Sequence, residues 1–286
     1  FKGLDVEFIV PDLYGKHKGF YGLFLLHKEL KSIQKWDSIL DFHDALRSKI
    51  LRTFFKLSGT PVFHIDKGRK EKKVLTSKKK KGLVQLKHTT ERYADVLRSA
   101  GIEADLSKVN PIKKGFSLPD QLLDDLDSKM SSWIGIAPFA QHVQKMYPIE
   151  KMHEVINHLV AKGYQVFIFG GGEIEKEKAD DLCKEQKNVT NLIGKYSLEV
   201  ELGLLSQMDL VLSMDSANMH MASLTGTKVV SIWGATHPLA GFTPFGQDND
   251  DQMIQISTKE LPCRPCSVFG NKPCYRSDFA CMNWIE

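Results

Sequence analysis

An α/β protein built on a doubly wound parallel sheet is the fold class this sequence predicts, and three observations carry that prediction. From residue 131 onward, short apolar runs and segments of helical spacing alternate five times. The connections between them are short, as βαβ units allow. The runs also end in polar residues and glycines, and open parallel sheets hold ligands outside the carboxyl ends of their strands. The stretch `LVLSMDSANMHMASLTGTKVVSIWG`, residues 210–234, combines all three features.

The first 130 residues are the less complete part. `VEFIV`, `WDSILDFHD` and `PVFHID` read as strands, with `KGFYGLFLLHKELKS` and `ALRSKILRTFFKLSG` as helices between them. That pattern is the rear half of an α/β domain. Phe1 joins it partway through, so further sequence is expected upstream. `HTTERYADVLRSAGI` adds an amphipathic helix, and `NPIKKGFSLPDQ` is a linker rich in turn formers. A domain boundary is expected near Ser128–Trp133, giving domains over 1–130 and 131–286.

The second domain is more legible. `WIGIA`, residues Trp133–Ala137, has the uniform apolarity of a strand buried on both faces. Pro148 opens a helix with Ile149, Met152, Val155, Ile156, Leu159 and Val160 at helical spacing and Gly163 past its end. `YQVFIFGGGE` is a strand running into three glycines, followed by a polar helix over about Ile174–Gln186 and the short strand `VTNLIG`. Ser197 caps a helix reaching Gln207. `DLVLSM` then leads through a short helix over Asn218–Leu224 to the strand `KVVSIWG`. No repeat of solenoid length is present.

Composition narrows the function classes. With 42% hydrophobic residues the chain can bury one large core or two smaller ones. No apolar stretch reaches the roughly eighteen residues of a membrane span, and no cleavable signal pattern stands at the start. The net charge of +4 is uneven: Lys67–Lys87 holds ten Lys or Arg against one acid, Glu71. Such a block is either a solvated, mobile loop or a surface for polyanions such as anionic lipid or a phosphorylated acceptor. Nucleic acid is the weaker partner, because no aromatic residue interleaves the lysines as a base-stacking surface requires. Four of the five cysteines, Cys263, Cys266, Cys274 and Cys281, cluster at the end. They are either reduced structural thiols, the favoured reading, or a zinc site whose second pair is too widely spaced for the usual knuckle.

The candidate site follows from the strand ends. Lys145 stands just before a helix, where its charge would add to the positive end of the dipole and suit a phosphate or diphosphate, unless it simply faces solvent. In `FGGGE`, glycines let a ligand approach the backbone, and Glu173 can accept from a ribose diol or an amino group. The full dinucleotide fingerprint is absent. In `DSANMH`, Ser216 suits an N-cap, and the N–H groups of Ala217, Asn218 and Met219 would form an anion cradle. Asp215 is an acceptor for sugar hydroxyls or a support for His220, whose imidazole can donate to a phosphate oxygen. One cleft with all of these suits a nucleotide carrying another group.

The segment `DSANMHMASLTGTKVVSIWGATHP` resembles the signature of glycosyltransferase family 9, the lipopolysaccharide heptosyltransferases. `APFAQHVQKMYP`, `FGGGE`, `NLIGKYSLEVELGLLSQMDLVLSMDS` and the `CRPC…C…C` tail also fit, so the resemblance covers nearly the whole chain. It implies two facing Rossmann-like domains in the GT-B arrangement, here with an incomplete N-terminal domain. It further implies an inverting, metal-independent transferase with no cofactor, located in the cytoplasm and peripherally at the inner membrane. An ADP-heptose donor would sit in the C-terminal domain, and an anionic glycolipid acceptor would be held by the N-terminal one. Lys145 and the N–H groups at Ala217–Met219 would then stabilise the departing diphosphate, Glu173 would touch the nucleoside, and Asp215 and His220 the sugar and phosphate. The basic Lys67–Lys87 block would meet the anionic acceptor or membrane.

Departures from the family pattern are also expected to matter. The family's base candidate, an Asp in an N-terminal Gly-Asp motif, has no counterpart here and is expected upstream of Phe1. Phe139 and Ala140 stand where hydroxyl residues are frequent, and Lys-x-Trp-Pro reads Lys145-Met146-Tyr147-Pro148. The family's last helix is expected to continue beyond Glu286. Two rivals stay open: a sugar-nucleotide epimerase or hydrolase of the same fold, and a non-catalytic nucleotide- or polyanion-binding protein.

Overall fold

The computed structural model describes residues 6–286 apart from positions 80, 113–115, 117, 120–130, 185 and 248–251. Half of the expected linker, the 128–130 part of the expected boundary at Ser128–Trp133, and Lys80 of the basic block lie outside the described residues. The chain divides into two compact units, one formed by Phe1–Lys67 with Thr89–Lys108, the other by Gly68–His88 with Val109–Glu286.

The first unit is a small α/β layer. Helix α1 (Gly19–Ile33), strand β1 (Ile39–Asp41), helix α2 (Leu46–Leu57) and strand β2 (Val62–His64) follow in order, and α4 (Thr89–Ser99) completes the unit. The two strands are parallel, with Leu40 opposite Phe63. Leu23, Leu26, Phe55, Ile65, Ala94 and Val96 are buried between the layers. Beyond β1 the Asp41 carboxylate turns the chain: it accepts from the N–H groups of His43 (2.9 Å) and Asp44 (2.8 Å), from Ser48 Oγ and from Arg52 (2.8 Å). Burial opposes the charge on Asp41, but these donors outweigh it and hold the carboxyl below its ordinary value. The expected strand `VEFIV` is not formed. Val6–Val10 is irregular and exposed, with Phe8 69% accessible: an apolar pattern alone does not make a strand, which needs a ladder. `WDSILDFHD` and `PVFHID` shrink to three residues each for the same reason.

In the second unit six parallel strands stand in the order β5-β4-β3-β6-β7-β8. They are β3 (Trp133–Ala137), β4 (Gln165–Ile168), β5 (Val189–Asn191), β6 (Leu210–Met214), β7 (Val229–Trp233) and β8 (Met253–Gln255). This is the doubly wound order, whose direction of growth reverses between β3 and β6. Helices α5 (Ile149–Ala161), α6 (Glu173–Cys183), α7 (Leu198–Leu205) and α8 (Ala217–Leu224) connect them. Every residue of β3 is buried, as its apolar run implies. Two apolar layers sandwich the sheet. Ile136, Met152, Ile156, Ile168 and Met214 fill one, and Phe169, Leu204, Leu205, Met219 and Trp233 the other. The expected helix over Ile174–Gln186 runs instead over Glu173–Cys183, and β8 carries no apolar run long enough to announce itself.

Two further parts join this unit. The basic block is not a free loop: Arg69–Leu75 forms helix α3, with Lys72 and Leu75 buried. Lys72 Nζ lies 4.4 Å from the centre of the Phe242 ring, and Lys81 Nζ donates to the carbonyls of Pro262 (3.1 Å), Cys263 (2.7 Å) and Arg264 (3.0 Å). The cysteine-rich tail, ending in the short helix α9 (Ala280–Asn283), folds around Arg264, which is fully buried. Its guanidinium donates to the carbonyls of Gly234 (2.6 Å), Trp233 (2.9 Å), Thr236 (3.2 Å) and Ile256, and to Gln255 Oε1.

Candidate functional site

The carboxyl ends of β3, β4, β6 and β7 open onto a cavity of about 770 Å³. Four chain segments line it. After β3 come Phe139, Ala140, His142 and Lys145; after β4 come Gly170, Gly171 and Glu175. Residues Asp215–Asn218, His220 and Met221 follow β6, and Phe242, Val268 and Phe269 come from the chain beyond β7. The place is the one the fold dictates, because β3 and β6 flank the switch point and their loops diverge there.

Lys145 and Asp215 meet across that point. Lys145 ends a 3₁₀ turn (Val143–Lys145), and its Nζ lies 3.1 Å from Asp215 Oδ2. Only 14% and 10% of the two side chains are exposed. Lys145 therefore does not simply face solvent; the charge sits at the cavity wall, held by the strand-end carboxylate. The first turn of α8 stands beside the pair. Ser216 occupies the N-cap position with extended backbone (φ −144°, ψ 177°), yet makes no capping hydrogen bond. Its hydroxyl lies 3.3 Å from Ser213 Oγ instead. The N–H groups of Ala217 and Asn218 are thus left without a side-chain cap at the cavity edge, and uncapped helix starts suit anions in general.

The remaining expected residues separate. His220 is exposed toward the cavity. Desolvation by the surrounding protein lowers its pKa against the opposing charge of Asp215, with His88 and Lys145 adding smaller effects in the same downward direction, so the neutral imidazole is favoured. Met219 is fully buried in the core and does not line the cavity. Glu173 is 82% exposed, 3.5 Å from Lys176, and does not line the cavity. Glu175 lies there instead, its Oε2 accepting from Gly171 N–H at 2.8 Å. A carboxylate in the first turn of α6 was readable, but not which of two would turn inward. Gly170 allows that turn, since a Cβ would stand 2.7 Å from Ile193 Cδ1 and 2.8 Å from Glu175 Oε2.

The tail also reaches the site, a link that spacing alone does not reveal. Gly270 has φ +77°, and a Cβ there would lie 2.5 Å from the Lys145 stem. The five cysteines are free thiols, with burial pushing Cys183 and Cys281 up to about 11 and Cys266 upward as well. Cys263, Cys266, Cys274 and Cys281 line one small cavity of the tail, and among the described residues no group of three or more His, Cys, Asp or Glu is placed to hold a metal.

The sequence matches the model of glycosyltransferase family 9 (heptosyltransferase) over residues 24–272, most of the chain. It is 26% identical over 251 residues to the lipopolysaccharide core heptosyltransferase OpsX of Haemophilus influenzae, covering 85% of this chain and 69% of that protein. Among solved structures, the family 9 glycosyl transferase from Veillonella parvula aligns with a TM-score of 0.62 at 17% identity, covering 92% of this chain and 77% of that one. E. coli heptosyltransferase WaaC with ADP aligns with a TM-score of 0.54 at 18% identity, covering 81% and 70%. The two structural matches speak for the fold, which is the GT-B class. With the family model spanning both units, the chain belongs to glycosyltransferase family 9, the heptosyltransferases.

Proposed function

We propose that the cavity at the β3–β6 switch point binds an ADP-sugar and that the protein transfers a heptose, or a similar sugar, to a lipopolysaccharide-core-type acceptor. One observation carries this reading: the Lys145–Asp215 ion pair stands beside the uncapped first turn of α8. A diphosphate needs that combination of a full positive charge and outward N–H groups. The ADP in the similar WaaC structure supports the choice of base.

In this reading the acceptor hydroxyl gives up its proton to a general base, to which none of Lys145, Asp215 or His220 is assigned, and attacks the anomeric carbon opposite the diphosphate, whose bond to the sugar breaks, with inversion. The charge that develops on the leaving oxygen is met by Lys145 and the N–H groups of Ala217 and Asn218, so the step needs no metal. Neutral His220 donates to a phosphate oxygen. Asp215 orients Lys145 and accepts from a sugar hydroxyl, which makes it a positioning group and not the base. Glu175 and the open Gly170–Gly171 backbone face the nucleoside. The acceptor is an anionic glycolipid, reached at the cytoplasmic face of the inner membrane. Exposed Lys70, Lys73 and Lys79 make the peripheral contact.

The test titrates ADP-, GDP- and UDP-heptose by thermal shift and then follows products with and without a heptose-free core lipid. Preferential stabilisation by ADP-heptose and acceptor-dependent release of ADP are expected. Release of free sugar without acceptor would point to a hydrolase, and no stabilisation by any of the three would sink the donor site.

A further inference from the structure

The wall of the cavity on the β7 side is aromatic, in contrast to the polar residues opposite. Phe242 and Phe269 line it with ring centres 5.7 Å apart and planes inclined at 55°. Phe269 is 55% exposed, so it is not there to fill a core. Its position is nevertheless fixed. The tight turn Ser267–Gly270 closes with Gly270 N–H donating to Ser267 Oγ at 3.0 Å, and Ser267, fully buried, donates to Asn271 Oδ1 at 3.1 Å. The N–H groups of Cys266 and Ser267 donate to Ala235 O, which sews the turn to the end of β7. Gly270 then lies against the Lys145 stem. From below, Lys72 places its ammonium 4.4 Å from the Phe242 ring centre and 5.8 Å from that of Phe269. This cation–π anchor ties both rings to α3.

We propose that Phe269, buttressed by Phe242 and Lys72, is the platform on which the transferred sugar ring of the donor stacks, and so a sugar-binding residue of the donor site. The inference rests on the donor-site reading and extends it. A diphosphate held at the centre of the sheet edge, by Lys145 and α8, sends its two substituents to opposite ends of the cavity. One end offers backbone and the Glu175 carboxylate, which suit a nucleoside's hydroxyls and amino group. The other offers the aromatic pair. A pyranose presents a face of C–H groups with small positive partial charges, and the negative face of a phenyl ring attracts it without demanding a hydroxyl pattern. The nearby Lys72 charge also adds to the positive field around the departing diphosphate.

Isothermal titration of the full chain with ADP and with ADP-heptose tests the idea. In Phe269→Ala the dissociation constant for ADP should stay within twofold of wild type, while that for ADP-heptose rises at least fivefold. Phe269→Tyr, which keeps the ring, should retain both. Phe269→Leu keeps apolar bulk without the π-face, and should fail like the alanine variant with an unchanged unfolding midpoint. Equal loss for ADP and ADP-heptose would assign the rings to the base and overturn the proposal. So would full retention of ADP-heptose binding in the alanine and leucine variants. If wild type itself binds neither ligand, the donor-site reading fails and takes this one with it; binding by wild type with no selective effect of the variants removes the platform alone.

Discussion

At the residue scale the site turns on two charges kept 3.1 Å apart and mostly out of water. Removing either leaves the other largely buried and uncompensated, which affects binding more than the loss of one exposed pair would. Lys145→Ala and Asp215→Asn should each lower kcat/KM for the sugar nucleotide at least tenfold, measured by ADP release. The two losses should be far from additive in the double variant, because both act through one ion pair. A second residue-scale effect concerns His237, which caps a 3₁₀ turn by accepting from Leu239 N–H at 3.1 Å. Burial, with Arg264 and Lys81 nearby, holds its pKa down to about 4, against 6.5 for a free imidazole. A depressed value means that the folded state resists protonation. The stabilisation is therefore complete above pH 6.5 and disappears as pH falls toward 4, with an upper limit of about 3 kcal/mol. Urea midpoints should fall across that window in wild type and fall less in His237→Asn, whose side-chain oxygen keeps the cap without titrating.

At the element scale the unusual structural part is the tail, and its organising centre is Arg264, set among carbonyl oxygens. Among the described residues Arg264 is satisfied by four main-chain carbonyls and one amide oxygen, spread from Trp233 to Ile256. Arg264→Met would leave those acceptors buried without donors and should cost about 3 kcal/mol or more in urea unfolding. Affinity for the ADP-sugar should fall in parallel, since the same tail delivers Gly270 to the Lys145 stem. Sequence reading reached one kind of element and missed another. The strand β6, the helix α8 and Lys145 were legible because hydrophobic period, caps and the carboxyl-edge rule all act over a few residues. Glu175 in place of Glu173 was not, because rotation of α6 within one turn decides it. Nor were α3, Phe269 and the Arg264 cage, whose partners lie up to about two hundred residues away in sequence; Lys81 bonds Pro262 to Arg264 across that span. The unformed `VEFIV` strand shows the converse, a local apolar pattern that is not taken up into a ladder.

At the scale of the whole molecule, the basic block divides into two populations with different physics. Lys72 and Lys81 are structural: one is buried against aromatic rings, and the other is locked on three carbonyls, with burial pulling its pKa below the ordinary value. Lys70, Lys73 and Lys79 are exposed and contribute to a chain whose net charge is +4. Surface lysines near an anionic bilayer are worth about 1 kcal/mol each and fall off within a Debye length. Changing Lys70, Lys73 and Lys79 together to Ser should therefore weaken binding to vesicles containing anionic phospholipid at least tenfold at low salt. The urea midpoint and ADP affinity should be unchanged, and the difference from wild type should shrink as salt rises through 0.15 M, where charge is screened within about 8 Å. Lys81→Met should do the opposite, lowering the midpoint while leaving vesicle binding per folded molecule close to wild type. Co-sedimentation with vesicles, run beside unfolding on the same samples, separates the two. Equal loss of vesicle binding in both variants would mean that the block meets the membrane through its fold and not through its exposed charge.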